Sequence, residues 1–233
     1  MKIASFKICP FVHRVTALLE AKNIPYELEF ISLRDKPQWF LDISPTGQVP
    51  VLITDGGDVL FESDAIVEYL DEAFPPLQPG LSLEAKARNR AWGYLAAKNY
   101  LVQCSAQRSA DEQTLAARRI KLDQAFDRVE KQLGDTTFFS GDTIGNVDIA
   151  WLVLLQRACI IERRSGYDFI GDRPRLKAWR DNLMQSGLAA RSVADGFEED
   201  FADFYLSDET FLGRGAAVKQ SAISDQSPTD ACC

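Results

Sequence analysis

A cysteine followed by a proline near the start of the chain has the context of a reactive thiol. Cys9 follows a short apolar segment from Lys2 to Phe6, and Pro10 comes directly after it. Because proline is favoured at the first helical position, the sequence predicts that Cys9 caps a helix running from Pro10 to Lys22. The unpaired N–H groups and the positive dipole end of this helix favour a thiolate. We therefore expect a reactive Cys9 with a pKa below the ordinary thiol value of about 8.5, rather than a buried cysteine without a chemical role.

The other cysteines and the single histidine limit which further chemistries are available. The chain contains five cysteines: Cys9, Cys104, Cys159, Cys232 and Cys233. Their spacing forms neither a disulfide framework nor a zinc site, which indicates a reducing cytoplasm and no metal. His13 alone cannot supply a histidine-rich metal site or a serine–histidine–aspartate triad elsewhere in the chain. We expect it at the surface, where it would add charge near Cys9 only when protonated.

Charge and hydropathy argue against two classes of partner. The 233 residues carry a formal net charge of −8, whereas binding to a phosphate backbone needs clustered lysine and arginine. No apolar run approaches the length of a membrane span. We therefore expect neither a nucleic-acid partner nor a membrane partner. The length allows one or two domains with a sizeable core.

The order of the predicted elements divides the chain into two parts. The first part follows the pattern β-α-β-α-β-β-α, in which a crossover helix implies that the first two strands are parallel. A linker over 74–80 contains three prolines and one glycine, which cannot continue a helix. Beyond it the sequence predicts only helices, the last of them over 189–204, and then a small, polar tail. The fold class is therefore α/β plus all-α.

Two short stretches of the first part have features of a binding site. Pro50 must lie at a strand start or in a special turn, because proline inside a central strand removes a ladder hydrogen bond. A cis Val49–Pro50 bond would accommodate it. Glu62 and Ser63 precede an apolar helix, and a serine among free N–H groups at a helix start makes a carboxylate site. An ordinary helix cap is the alternative for this serine.

The second part contains a carboxylate in apolar surroundings. Asp148 lies in a nearly uniform apolar segment from Asn146 to about Ile161. An isolated buried carboxylate is costly. We therefore expect Asp148 to accept hydrogen bonds from backbone N–H groups at the start of this helix.

In combination, these motifs resemble the cytosolic glutathione transferases. The quoted motifs are CPF from Cys9, DKPQWF from Asp35, GQVPVL from Gly47 and FESDAI from Phe61. Within that superfamily the chain is most similar to the omega class and related cysteine-type enzymes. The resemblance implies a thioredoxin-like glutathione-binding domain over 1–76, an all-helical domain over 82–212 and a disordered tail over 213–233.

The resemblance also implies which residues hold glutathione. Cys9 matches the residue that forms a mixed disulfide with glutathione, and Phe11 matches the aromatic residue packed beside it. Lys36 matches the lysine that reaches the glycine carboxylate of the tripeptide. A cation at that end suits a carboxylate.

The two later motifs, GQVPVL and FESDAI, correspond to the middle and the other end of the tripeptide. Val49 matches the residue whose backbone pairs with the cysteinyl part like an added strand, just before the cis-proline Pro50. Glu62 and Ser63 match the pair that holds the γ-glutamyl ammonium and carboxylate.

The sequence departs from the family pattern at two places. Gly145 stands three residues before Asp148, where the family usually has serine or threonine as a helix cap; glycine fills a cap at a small cost. The chain ends in Cys232 and Cys233, which are a lipidation signal in some contexts. No polybasic stretch accompanies them, so a plain unstructured tail is the preferred interpretation.

The leading functional hypothesis is a glutathione-dependent thiol transferase or reductase. Cys9 would attack a mixed disulfide, and a second glutathione would resolve the adduct, since Val12 leaves no Cys-x-x-Cys partner. The resemblance implies dehydroascorbate, small organic disulfides and glutathionyl-ketones as substrate classes, and a homodimer. Aromatic residues near the domain junction are candidates for a second, hydrophobic substrate pocket, although such residues are more often core. These candidates are Trp92, Tyr94, Tyr100 and Trp151.

Two alternatives remain open from the sequence. One is conventional conjugation of glutathione to electrophiles, for which a cysteine at position 9 is less suited than a hydroxyl. The other is a non-catalytic interaction protein, like the transferase-fold proteins associated with RNA polymerase. A pure scaffold would not need Cys9, Lys36, Glu62 and Ser63 together, which argues against the second alternative.

Overall fold

A mixed sheet underlies the first part of the chain. The computed structural model describes residues 1–215, and its strands are β1 (Lys2–Ser5), β2 (Glu27–Phe30), β3 (Val51–Ile53) and β4 (Val59–Phe61). Their order across the sheet is β2-β1-β3-β4. The β1–β2 pair is parallel and the other two pairs are antiparallel. The parallel pairing predicted from the crossover helix is confirmed.

Three helices accompany this sheet: α1 (Pro10–Lys22), α2 (Gln38–Ile43) and α3 (Ser63–Ala73). Helix α1 has the predicted bounds. It buries Val15, Leu18 and Leu19 completely, the stripe that their i, i+3, i+4 spacing predicts. It ends at Asn23, whose left-handed backbone (φ 54°) is typical of a helix C-terminus.

The second part of the chain is helical. Its helices are α4 (Leu83–Gln107), α5 (Glu112–Gln132), α6 (Asn146–Ser165), α7 (Pro174–Gln185), α8 (Leu188–Arg191) and α9 (Phe197–Tyr205). Helix α6 lies at the centre, buried along most of its length. Two side chains of α4 bind its backbone: Tyr100 Oη donates to the carbonyl of Ala150 (2.7 Å), and Gln103 Nε2 donates to that of Leu154 (2.9 Å).

The end of the helical part differs from the sequence prediction. The single helix expected over 189–204 is wrong, because α8 and α9 are separated at 192–196. Gly196 directly precedes α9 and has a left-handed backbone (φ 72°), which glycine adopts readily, so the chain turns between the two helices. Residues 211–215 are also helical and include the first three residues of the predicted tail. The rest of that tail, with Cys232 and Cys233, lies outside the described residues.

The two parts share one hydrophobic core. A continuous cluster of buried side chains runs from α1 and α3 into α4 and α6. A smaller cluster of Ala4, Ile31, Phe40 and Val51 fills the opposite face of the sheet under α2. The thioredoxin-like part followed by a helical part is the predicted fold, and we keep the boundaries 1–76 and 82–212 as a proposal. Within residues 1–215, no helix has the length and apolar character needed to cross a membrane.

Candidate functional site

Cys9 lies at the N-terminal end of α1. Its backbone is extended (φ −69°, ψ 122°), and Pro10 is the first helical residue. The N–H of Cys9 donates to the carbonyl of Phe6 (2.9 Å), which fixes the turn between β1 and α1. The N–H groups of Phe11 and Val12 face the thiol. The position predicted for this cysteine is therefore confirmed.

The predicted low pKa of Cys9 is wrong. Burial raises the pKa of the thiol above its ordinary value, and the neighbouring Cys104 raises it further. The N–H groups of Val12 and Phe11 and the guanidinium of Arg157 lower the pKa, but their effect is smaller. The helix terminus acts in the predicted direction, and desolvation beneath the helical part outweighs it.

A small open cleft lies next to α1, between the loop before β3 and the start of α3. It has about 330 Å³ of empty volume. Five of its lining residues were predicted from the sequence as glutathione ligands: Phe11, Val49, Pro50, Glu62 and Ser63. Thr46 and Gln48, which the sequence analysis did not single out, complete the lining. Cys9 is not among the lining residues and lies two residues before Phe11, which is.

Val49 presents an unused backbone edge to this cleft. The Val49–Pro50 peptide bond is cis, and β3 begins only at Val51. The ladder between β1 and β3 ends at the Ala4–Val51 pair. Neither the N–H nor the C=O of Val49 joins the backbone hydrogen bonds of the turns and loops within residues 1–215. Both groups are therefore available to an extended peptide.

Glu62 and Ser63 form the start of α3. Glu62 caps the helix with a left-handed backbone (φ 65°, ψ 116°), a conformation that is costly for a residue with a Cβ atom. Ser63 is buried, and the exposed Glu62 carboxylate borders the cleft. Free N–H groups of the first helical turn lie in the same place. A negative and a positive group of one ligand can both be bound here.

Lys36 lies beside the cleft without lining it. Its Nζ is 3.6 Å from the position that a Cβ atom on Gly47 would occupy. Gly47 lies between two lining residues, Thr46 and Gln48, and has a left-handed backbone (φ 62°). The ammonium group is thus close to the part of the cleft lined by Thr46 and Gln48, where it could pair with a carboxylate of a bound peptide.

Comparisons with known proteins identify the family. Two family models match the chain: "Glutathione S-transferase, N-terminal domain" over residues 8–73 and "Glutathione S-transferase, C-terminal domain" over residues 112–182. Glutathione S-transferase omega-1 of Rattus norvegicus is 30% identical over 215 residues, covering 89% of this chain and 87% of that protein. The chain belongs to the glutathione S-transferase family. The resemblance inferred from the motifs is confirmed.

Two further members of the glutathione S-transferase family extend this comparison. Glutathione S-transferase DHAR2 of Arabidopsis thaliana is 54% identical over 67 residues, which cover 29% of this chain and 31% of that protein. The crystal structure of rice GST1 in complex with glutathione superposes with a TM-score of 0.73 at 25% identity, covering 94% of this chain and 97% of that chain. The sequence match to DHAR2 is thus high but confined to one segment.

In this glutathione S-transferase, α9 covers the loop that leads to Cys9. Lys7 Nζ forms an ion pair with Asp200 Oδ2 of α9 (2.9 Å). The ring of Phe197 lies 6.0 Å from the ring of His13, and Tyr205 faces Cys104. Helix α9 thus packs against the loop before Cys9 and against His13 of α1. The sequence analysis missed these residues because the single helix predicted over 189–204 gave no indication of how α9 packs.

His13 is a buried residue, so its predicted surface position is wrong. It is 3% exposed, and burial together with the neighbouring Arg157 lowers its pKa well below the ordinary value. Its Nε2 lies 3.0 Å from Ser192 Oγ, and its Nδ1 lies 2.9 Å from Arg157 Nη1. His13 is therefore neutral and adds no charge to Cys9.

Of the four aromatic candidates for a second pocket, Tyr100 contacts a residue of the cleft lining but is itself fully buried. Its ring makes an edge contact with Phe11 (centroids 5.4 Å apart). Trp151 is fully buried and packs on Trp179, and Trp92 packs on Phe139. Trp151 and Trp92 are thus core residues of the helical part. Tyr94 bonds Glu68 of α3 instead (3.2 Å).

Asp148 has the structural role that the sequence predicts. Its Oδ2 accepts from the N–H of Gly145 (2.8 Å) at the start of α6. Its Oδ1 accepts from the N–H of Phe139 (3.0 Å) and from the indole of Trp179 (2.7 Å). Within residues 1–215, no group of three or more His, Cys, Asp and Glu side chains could hold a metal ion.

Proposed function

We propose that this chain is a glutathione-dependent thiol transferase of the cysteine type. The observation that carries the proposal is the position of Cys9. Its thiol stands at the start of α1, one residue from Pro10 and two from Phe11, whose ring lines the cleft. A hydroxyl at this place could only hydrogen-bond a bound glutathione thiol, whereas a cysteine thiolate can attack a glutathionyl disulfide and form a mixed disulfide with glutathione.

The proposed cycle uses one protein thiol. The Cys9 thiolate attacks the glutathionyl sulfur of a mixed disulfide, which forms a Cys9–glutathione disulfide and releases the substrate thiolate, and that thiolate takes up a proton. A second glutathione thiolate then attacks the glutathione sulfur, which releases glutathione disulfide and restores the Cys9 thiolate. In the net reaction, one mixed disulfide and one reduced glutathione give the substrate thiol and glutathione disulfide, so the second glutathione is the reductant.

The cleft offers the groups that glutathione needs at each end. We propose that Lys36 binds the glycine carboxylate, that the Val49 backbone ahead of Pro50 pairs with the cysteinyl part, and that Glu62 and Ser63 hold the γ-glutamyl ammonium and carboxylate. The free N–H and C=O of Val49 support the middle contact. The rice relative in complex with glutathione supports the choice of ligand.

We propose small disulfides, dehydroascorbate or glutathionyl-ketones as the second substrate. Phe11, which lines the cleft two residues after Cys9, provides an apolar contact for such a molecule. Conjugation of glutathione to electrophiles is the competing function, and a role as an interaction protein without catalysis is the third. Retention of the chain on a glutathione-affinity column and its elution by free glutathione would argue against the non-catalytic interaction protein.

The deciding experiment is mass spectrometry after incubation with glutathione disulfide. The proposal expects one glutathionyl adduct on Cys9, which Cys9→Ala abolishes and which Cys104→Ala and Cys159→Ala leave in place. Disulfide reduction should fall to background in Cys9→Ala, and Cys9→Ser should do the same while gaining weak conjugating activity. Full reductase activity in Cys9→Ala would overturn the mechanism.

We also propose that the chain forms a homodimer and works in a reducing cytoplasm. Large apolar side chains are exposed on β4, α4 and α5: Val59, Phe61, Leu101 and Ile120. Burial of these exposed apolar side chains between two copies of the chain would stabilise a dimer. Light scattering at micromolar concentration should give twice the mass of the chain, and a monomer mass would contradict the dimer.

A further inference from the structure

A fully buried arginine reaches the residue before Cys9. Arg157 of α6 has no exposed surface. Its Nη2 donates to the carbonyl of Ile8 (3.3 Å), and its Nη1 donates to the carbonyl of Val153 (3.0 Å) and to His13 Nδ1 (2.9 Å). Its Nε has no partner. None of the ion pairs formed within residues 1–215 includes this guanidinium.

A buried cation without a carboxylate is energetically unfavourable. Removing a charge from water costs several kcal/mol in effective terms unless an opposite charge or a full set of hydrogen bonds compensates. Burial lowers the pKa of Arg157, and four weak acids around it raise the pKa again. These weak acids are the thiols of Cys9 and Cys104 and the phenols of Tyr100 and Tyr205. Arg157 therefore gains most when one of these four groups ionises.

Of these four groups, Cys9 is the one that lies at a helix N-terminus. Burial raises the pKa of Tyr100 and of Tyr205 far above neutrality, so both phenols stay protonated. Cys9 additionally faces the N–H groups of Phe11 and Val12 at the start of α1, which stabilise negative charge.

The remaining charged groups near Cys9 leave Arg157 as the effective cation. His13 on α1 is neutral, because its Nδ1 accepts from Arg157 and burial lowers its pKa. In the loop before Cys9, Lys7 is neutralised by Asp200 of α9. Helix α4 contributes Tyr100 and Cys104, and α9 contributes Tyr205. Among these groups, Arg157 is the cation that lowers the pKa of the Cys9 thiol, while its own N–H groups bond Ile8, Val153 and His13.

We propose that Arg157 is a positioning residue for Cys9: it clamps the loop through the Ile8 carbonyl and supplies the positive charge that a Cys9 thiolate faces. His13 completes the clamp. Its proton lies on Nε2, from which it donates to Ser192 Oγ, so that Nδ1 remains free to accept from Arg157. The inference rests on the proposed nucleophilic role of Cys9, but it concerns the thiol itself and not its substrate.

The test measures the rate of iodoacetamide alkylation at Cys9 against pH. The parent carries serine at Cys104, Cys159, Cys232 and Cys233, and Arg157 is replaced by methionine, glutamine or lysine. Arg157→Met and Arg157→Gln should raise the midpoint by about one pH unit and slow alkylation about tenfold below it, since the charge is lost. Arg157→Lys should restore most of the parent midpoint. Arg128→Met, on the exposed side of α5, is the matched control and should change nothing.

Each outcome bears on the proposal. A purely structural Arg157 would lower the melting temperature and leave the midpoint within about 0.2 units of the parent in Arg157→Met or Arg157→Gln, which would overturn the proposal. The proposal would also be overturned if Arg157→Lys raised the alkylation midpoint as much as Arg157→Gln does. If Arg157→Met does not fold, the alkylation midpoints of Arg157→Gln and Arg157→Lys are compared instead, and they test the same loss of charge. The assay contains no glutathione, so failure of the proposed transferase function would appear separately, as a missing glutathionyl adduct in the parent.

Discussion

The side-chain amide of Gln78 fills the space that a Cβ atom on Gly145 would occupy. Gln78 belongs to the linker between the two parts, and its Nε2 donates to the carbonyl of Thr143 (3.3 Å) just before α6. The backbone of Gly145 is extended (φ −124°, ψ −179°), so it does not itself demand glycine. The glycine found where the family usually has serine or threonine is therefore explained by the linker.

The first prediction is that Gly145→Ser depends on residue 78. Alone, the serine displaces the Gln78 amide and gives no gain in the free energy of unfolding. In a Gln78→Ala background it should cap α6 and gain about 0.5 kcal/mol, because serine exceeds glycine as a cap by a few tenths. Urea unfolding of the four proteins gives the coupling between the sites. Equal effects of Gly145→Ser in both backgrounds would contradict this explanation.

The second prediction separates scaffold from site. Asp148→Ala leaves three donors without an acceptor: the N–H groups of Gly145 and Phe139 and the indole of Trp179. An unsatisfied buried donor costs about 1–3 kcal/mol, so the free energy of unfolding should fall by about 3 kcal/mol or more. Glutathione affinity, measured by calorimetry on the folded fraction, should change less than twofold. If Asp148→Ala lost glutathione affinity in proportion to stability, the assignment of Asp148 to the scaffold and not to the binding site would be wrong.

The elements near the sheet could be predicted because local patterns determine them. Pro10 and Asn23 mark both ends of α1, and Pro50 and Ser63 mark the starts of β3 and α3. The cleft follows from these boundaries, since its lining residues sit at element ends rather than on faces. The role of Asp148 was predictable for a similar reason: a carboxylate in an apolar run must find donors nearby.

The electrostatics of Cys9 could not be predicted in this way. Its pKa depends on burial and on the charge of Arg157 of α6, which is distant in sequence and comes near the thiol only through packing. A single signal was present: Arg157 interrupts the apolar run of α6, as Asp148 does. His13 was misplaced because its position one turn after Cys9 does not reveal that Arg157 and Ser192 enclose it.

The third prediction uses the strained backbone of Glu62. Glu62→Gly relieves the left-handed conformation (φ 65°), which costs about 1–3 kcal/mol for a residue with a Cβ atom. Because glycine also loses more entropy on folding, the expected gain in the free energy of unfolding is about 1 kcal/mol. Glu62→Ala keeps the strain and should be close to the parent in stability.

Both Glu62 variants should bind glutathione at least tenfold more weakly, as should Ser63→Ala, since each loses a charged or hydroxyl partner. Urea unfolding and titration calorimetry measure the two properties independently. Equal stability of Glu62→Gly and Glu62→Ala would show that the backbone conformation is not strained. Undiminished affinity in all three variants would exclude these residues from the site.

The fourth prediction concerns pH and the Cys9 thiol. Its pKa is raised in the folded chain by burial, so the folded state holds the proton more tightly than the unfolded state does. The thiol's contribution to stability is then fully present below the unfolded pKa of about 8.5 and is lost as pH rises through the higher folded pKa. Reductase turnover should increase over the same interval, because the attacking species is the thiolate.

The test compares the parent with Cys9→Ser by urea unfolding at pH 7 and at about pH 10. Subtracting the change measured for Cys9→Ser from the change measured for the parent removes the contributions of the other thiols and of the tyrosines. The parent should lose more free energy of unfolding than Cys9→Ser, by up to about 1.4 kcal/mol for each unit of pKa shift. A parent that instead gains stability relative to Cys9→Ser as pH rises would mean a lowered pKa, and burial would then not be the dominant effect on this thiol.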